Sequence, residues 1–173
     1  MVSQMVSKIM KIPFNKPEII GNELEYIRQA YQLSHISGDG FFTKKVFNYF
    51  KDKLNVKKSL LTTSCTHALE MAALLLNIKP GDEFIAPSFT FVSTINAFMI
   101  RGGVPIFVDI RSDTLNIDEN LIEKSITKKT KAIVVVHYAG VACEMKRIIE
   151  IGEKYKIPII EDNAHGLFGK YEN

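Results

Sequence analysis

Pro158-Ile159-Ile160-Glu161-Asp162-Asn163-Ala164-His165-Gly166 is the stretch on which the reading of this chain turns. A proline opens a short β-branched run, the run ends abruptly in two carboxylates, and a turn of small residues then presents a histidine three positions beyond Asp162. Short runs that are apolar throughout belong to strands buried on both faces, the condition of a parallel sheet. In open α/β sheets ligands bind just outside the carboxyl ends of the strands, and the pattern places Asp162 there. A buried carboxylate at such a point needs a cationic or hydrogen-bonding partner, supplied by the protein or by a ligand.

Outward from this stretch the chain repeats the same unit. Ala132 to Val136 is the strongest strand, and a helix from Glu144 to Tyr155 leads from it to Pro158. Upstream, strands are predicted at Leu60–Thr63, Phe84–Ala86 and Pro105–Val108, with helices over 66–77, from Ser93 to Ile100, and from an Asp118 cap through Ile126. Lys79-Pro80-Gly81-Asp82 and Gly102-Gly103 punctuate them. Five βα repeats predict an α/β fold, a mostly parallel sheet with helices on both faces. Ahead of the repeats, Leu24, Ile27, Ala30 and Tyr31 recur at helical spacing behind an Asn22 cap, Ser37-Gly38-Asp39-Gly40 breaks the chain, and Thr43 caps a second helix carrying Val46, Phe47 and Phe50. Residues 1–11 read as a flexible arm, followed by an extended Ile12-Pro13-Phe14-Asn15-Lys16-Pro17.

Composition narrows the function classes. With 173 residues and 46% apolar content, the chain is long enough to bury the core of one domain. A net charge of +3 without a basic stripe interleaved with aromatics argues against a nucleic-acid partner. The first ten residues are too polar for an export signal, and no apolar run reaches the roughly 18 residues of a membrane span. Cys65 and Cys143 are therefore expected as free thiols in a cytoplasmic protein, with no membrane association.

Several segments put chemistry at strand ends. Thr63-Ser64-Cys65-Thr66-His67 opens an apolar helix, where backbone N–H groups favour a phosphate; an ordinary Ser/Thr cap accounts for the same residues. It lacks the glycines and lysine of a P-loop, and no GxGxxG follows a strand. Pro87-Ser88-Phe89-Thr90-Phe91-Val92-Ser93-Thr94 offers a ring to stack on a flat ligand and hydroxyls to orient it; core packing of Phe89 and Phe91 is the alternative. His137-Tyr138-Ala139-Gly140 follows the strongest strand, with His137 either a binding group or a satisfied core histidine, and Ser37 to Gly40 is a binding loop or a plain turn. What favours a site is their common placement at one end of one predicted sheet.

Taken together with Ile12 to Asn15 and Glu161 to Gly166, these motifs resemble the sugar-nucleotide aminotransferases of the DegT/DnrJ/EryC1/StrS family over residues 12 to 173. The resemblance implies the large domain of a fold-type I enzyme dependent on pyridoxal 5'-phosphate. It assigns Asp162 to the pyridine nitrogen, which it would keep protonated so that the ring acts as an electron sink, His165 to the ring oxygen, Phe91 to the ring face, and Cys65 and Thr66 to the phosphate. Gly38, Asp39, His137 and Tyr138 match segments near the substrate pocket. The stretch from His137 to Met145 points to members that transfer an amino group, from glutamate, to C4 of a dTDP-linked 4-keto-6-deoxyhexose for cell-surface polysaccharide and lipopolysaccharide, acting as homodimers.

One part of the family pattern is missing. Its Schiff-base lysine is expected beyond Asn173, together with the C-terminal small domain, so no catalytic residue is assigned within the chain; Lys170 sits in what reads as the start of a hairpin and does not match. Residues 12–173 are thus expected to form the N-terminal part of the large domain, inactive alone. Two further readings are a cofactor- or subunit-binding module without activity and an unrelated doubly wound oxidoreductase, the latter disfavoured by the missing glycine fingerprint.

Overall fold

The computed structural model describes Pro13 and residues 16–172. The expected arm over residues 1–11 lies outside the described residues, as do Ile12, Phe14 and Asn15. The chain runs α1 (Glu23–Gln32), α2 (Phe41–Leu54), α3 (Cys65–Leu75), β1 (Glu83–Pro87), α4 (Val92–Met99), β2 (Val104–Val108), α5 (Glu119–Ile122), β3 (Thr130–Val136), α6 (Met145–Tyr155) and β4 (Ile159–Asp162). The strands form one parallel sheet in the order β2-β1-β3-β4.

Successive side chains of a strand point to opposite faces, so the unbroken apolar runs feed two cores. Phe84 and Ala86 of β1 with Ala132 and Val134 of β3 pack against Leu69 and Ala73 of α3 and Ile95, Ala97 and Phe98 of α4. The rings of Phe84 and Phe98 stack with centroids 4.8 Å apart. Ile85, Ile133 and Val135 point the other way, onto Ile122 of α5 and Met145, Ile148 and Ile151 of α6. The spacing of those last three residues is that of one helix face, and all three are buried. The return from α4 to β2 depends on Gly102, whose φ is +86° and where a Cβ would lie 2.7 Å from Pro80 Cα.

The α/β class and the parallel sheet with helices on both faces agree with the sequence reading, while several local expectations are corrected. Leu60–Thr63 is not a strand: no neighbouring strand pairs with it among the described residues, and Leu60 and Leu61 stay half exposed, so its backbone finds no ladder. Among the described residues the sheet accordingly has four strands rather than five. The second helix starts at Phe41 behind Gly40, two residues before Thr43, because Gly40 itself takes the extended N-cap conformation. Asn22 makes no side-chain cap; the Glu23 carboxylate instead accepts from the amides of Ile20 and Gly21, each at 3.0 Å. Asp118 does cap α5, accepting from Asn120 N at 3.0 Å, but the α-helix gives way after Ile122 to a 3-10 turn at Glu123–Ser125, since Ile126 is extended. The segment after Gly166 forms turns rather than a hairpin strand through residue 172.

Candidate functional site

Three strand ends and two helix starts converge on one cleft. β4 ends at Asp162, β3 at Val136 just before His137, and β1 leads through Ser88 and Phe89 into α4; α3 begins beside them at Cys65. The cleft, about 220 Å³, is lined among others by Cys65, Thr66, Phe91, His137, Tyr138, Asp162 and His165. Seven sequence-predicted site residues thus meet there, although they span 101 positions of the chain, from 65 to 165 inclusive. Gly38 and Asp39 do not line this cleft; they form an exposed turn ahead of α2, with Asp39 at φ +59° and the carbonyl of Gly38 3.2 Å from His35 Nε2.

Asp162 is the buried anion of the site, 6% exposed. Its Oδ2 accepts from Thr94 Oγ1 at 2.6 Å, and its Oδ1 accepts from Cys65 Sγ at 3.6 Å and from Ala164 N at 3.3 Å. All three donors are neutral, and none of the ion pairs among the described residues includes Asp162. A desolvated carboxylate with only neutral donors and an open side is a site for a cation. Partial burial raises the Cys65 thiol above its ordinary value, with the Asp162 charge and hydrogen bond acting the same way.

The first turn of α3 behaves as both readings of its sequence allowed. Ser64 caps the helix, its Oγ accepting from His67 N at 3.2 Å. The amides of Cys65 and Thr66 belong to the orphan donors that every helix start carries, and the Thr66 hydroxyl donates to Ser93 Oγ at 2.9 Å on the cleft wall. Phe91 is 73% exposed beside them, which rules out the core-packing reading for this ring. Phe89 meets Tyr138 with centroids 4.9 Å apart, and Tyr138 meets His165 edge-on at 6.2 Å.

His137 is fastened rather than free. Its Nδ1 accepts from Cys143 N at 3.2 Å, so the proton sits on Nε2, which donates to Glu161 Oε2 at 2.9 Å. With both ring nitrogens taken, the imidazole ties the loop after β3 to β4 and presents only its ring to the cleft. Asn116, also buried, holds the same loop by accepting from Tyr138 N and donating to Val141 O, both at 3.0 Å. Gly140, at φ +82°, completes the approach; a Cβ there would stand 3.1 Å from His165 O. Burial pushes the Cys143 thiol up to about 12, and its Sγ donates to Val136 O at 3.2 Å.

Asn116 was missed by the sequence reading, while Thr90, Ser93 and Thr94 entered it only as hydroxyls of the segment 87–94 and Glu161 only as one of two strand-end carboxylates, none with a role of its own. The signal for pairing Thr90 with Thr94 is their spacing, hydroxyls four apart where a strand passes into a helix, and their oxygens lie 2.9 Å from each other. Asn116 carried none, being one polar residue of a connecting loop.

The donor set fits pyridoxal phosphate: a buried anion for a protonated ring nitrogen, an exposed ring for stacking, and helix-start amides with hydroxyls for a phosphate. No helix among the described residues is long and apolar enough to cross a membrane.

Comparison with known proteins converges on the same chemistry. The sequence profile of the DegT/DnrJ/EryC1/StrS aminotransferase family matches residues 17–173. GDP-perosamine synthase of Escherichia coli O157:H7 is 36% identical over 161 residues, 93% of this chain and 44% of that protein. UDP-4-amino-4-deoxy-L-arabinose–oxoglutarate aminotransferase of Shewanella sediminis is 47% identical over 110 residues, 64% of this chain and 28% of its own. A Streptococcus pneumoniae protein described as a sugar aminotransferase, solved in its PMP form, superposes with a TM-score of 0.82 at 31% identity, over 91% of this chain and 43% of that one. The chain spans less than half the length of each of these three.

Proposed function

The chain belongs to the DegT/DnrJ/EryC1/StrS aminotransferase family, whose cofactor is pyridoxal phosphate, and from that premise we propose that it forms the cofactor-binding N-terminal part of an enzyme aminating a nucleotide-linked keto sugar. The observation that carries the reading is the buried carboxylate of Asp162, open to a cleft and served only by neutral donors.

In this reading each side chain has a bounded task. Asp162 holds a proton at the ring nitrogen, since a carboxylate beside a pyridinium stabilises the charged form of both. Phe91 would cover a ring face, Cys65, Thr66 and Ser93 would receive the phosphate with the amides of α3, and His165 would serve the ring oxygen. When bound, the cofactor supplies an electron sink for the amino-group carbon. Tyr138 borders the substrate side, and His137 acts by holding the loop that carries Tyr138. Gly38 and Asp39 contribute to the substrate pocket only if their turn is brought to the cleft, for which a second subunit is the natural route. The lysine that anchors the cofactor, and the small domain, we place in the part of the relatives that this chain does not span.

For the substrate, we infer a dTDP-linked 4-keto-6-deoxyhexose aminated at C4 with glutamate as donor, for cell-surface polysaccharide or lipopolysaccharide, in the cytoplasm. Amination at C4 and a glutamate donor are supported by the Shewanella relative, named for a 4-amino sugar and for oxoglutarate, the keto acid that glutamate leaves. The dTDP carrier rests on the segment from His137 to Met145 alone. Turnover of GDP-, UDP- and dTDP-linked 4-keto sugars by the protein at its relatives' length tests the assignment, and preference for GDP or UDP would replace the carrier. A second reading, a cofactor- or subunit-binding module without activity, is favoured by one observation: no residue of α1 or α2 is buried.

The cofactor reading is tested with pyridoxamine phosphate, whose retention needs no lysine. The protein is expected to bind it saturably and Asp162→Asn to weaken it by about a hundredfold, the loss of a charge-assisted contact in a buried site. Equal affinity of the two proteins would overturn the role of Asp162.

A further inference from the structure

Every donor to Asp162 is neutral, but the two carboxylate oxygens are not held alike. Oδ2 takes a short bond, 2.6 Å, from Thr94 Oγ1, whereas Oδ1 has only the 3.6 Å thiol and the 3.3 Å amide of Ala164. Thr94 is fully buried and does not line the cleft, so its hydroxyl is not available to a ligand. A hydroxyl has one proton to give. Since Thr94 gives it to Asp162, the 2.9 Å contact with Thr90 Oγ1 must run from Thr90 to Thr94. The result is a directed chain, Thr90 to Thr94 to Asp162 Oδ2, in which each bond polarises the next.

We propose that Thr94 is a positioning residue for the cofactor: by committing Oδ2 it fixes the Asp162 side chain in one orientation and leaves Oδ1, whose own contacts are long, as the oxygen offered to a cationic ring nitrogen. The inference rests on the pyridoxal phosphate reading given above. Local packing explains why threonine serves here. Thr94 is fully buried on α4 while its hydroxyl reaches Asp162 on β4, so one small residue fits the interior and orients the carboxylate.

The test uses pyridoxamine phosphate and equilibrium dialysis on the wild type, Thr94→Val, Thr94→Ser and Asp162→Asn, with urea unfolding as the measure of fold. Thr94→Val is expected to bind about tenfold more weakly and Thr94→Ser within about threefold of wild type, because serine keeps the donor and valine does not. A purely structural role predicts the reverse order, since valine fills the pocket and serine leaves a void. Wild-type affinity in Thr94→Val, or serine as weak as valine, overturns the proposal while leaving the cofactor reading intact if Asp162→Asn still loses binding. If wild type and Asp162→Asn are equally weak, the cofactor reading falls and this inference with it. Should Thr94→Val fail to fold, Thr94→Ser and Thr90→Val decide it: near-native binding in the serine variant with weaker binding in Thr90→Val supports the directed chain, and any other pattern rejects it.

Discussion

Two regions of this chain carry the same kind of sequence and meet different fates. Helix α6 and helix α1 are both amphipathic, yet Ile148 and Ile151 of α6 are fully buried against β3 while Leu24, Ile27 and Tyr31 of α1 are 64–75% exposed. Helix α2 repeats the pattern: its Phe41 and Phe42 touch each other, and Phe42 meets Tyr26 of α1 with centroids 5.4 Å apart, but no residue of α2 is buried. Periodicity reports that a helix has an apolar face; it does not report what covers that face. In the unit from α3 to β4 the sheet supplies the cover locally and buries two apolar clusters, although Leu75, Phe91 and Ile100 of the same unit stay exposed. In α1 and α2 the apolar side is still open, which is why the proposed partner surface lies there.

The sharpest way to test that contrast is to remove the same kind of group from each side. Phe98→Ala, in the core between α4 and the sheet, is expected to cost about 3–5 kcal/mol in urea unfolding, through lost burial and the cavity beside Phe84. A cost under about 1 kcal/mol would mean that the sheet unit is not the independent core described here.

Next in size is the fastening of the site to that core. His137→Phe keeps a ring but leaves Cys143 N without its acceptor, and is expected to cost about 1–3 kcal/mol, measured the same way. If His137 instead served substrate alone, stability would be unchanged and only the Michaelis constant would rise.

These two cases also mark what the sequence could convey. The four paired strands, the helices between them and the convergence of Cys65, Thr66, Phe91, His137, Tyr138, Asp162 and His165 were legible, because strand runs and small polar turns are local signals and the strand-end rule maps them to one edge. The bond of His137 to Glu161, those of Thr94 and Cys65 to Asp162 and the lock made by Asn116 were not, because each is a contact across 22 to 97 positions, set by how the helices and the loop before α5 settle on the sheet. Leu60–Thr63 failed for a related reason: a strand exists only with a neighbour, and apolar residues alone do not supply one.

The two thiols give a smaller, chemical version of the contrast. Alkylation proceeds through the thiolate, so a thiol whose pKa is raised reacts more slowly at a given pH. Cys143, pushed to about 12 by burial, is expected to stay unmodified at pH 8 until the protein unfolds. Cys65, raised less severely and open to the cleft, should react slowly in the native state and be protected by pyridoxamine phosphate. Mass spectrometry of the labelled protein reads both sites at once, and equal labelling of the two would place Cys143 outside the core.

The smallest effect is expected where the comparison began. Ile27→Ser on α1 removes an isoleucine that is already 64% exposed, so the loss of apolar burial within one chain is slight and unfolding should change by less than about 0.5 kcal/mol. That expectation holds only while the face is uncovered. If a second copy seats on α1 and α2, folding and association are linked, the unfolding midpoint rises with protein concentration, and Ile27→Ser abolishes that rise by weakening the dimer. Unfolding curves at several concentrations, with and without the substitution, therefore tell whether the open apolar side is a property of the protein or only of one subunit. A midpoint independent of concentration in the wild type would leave the α1 face exposed in solution and remove the support it gives to a subunit partner.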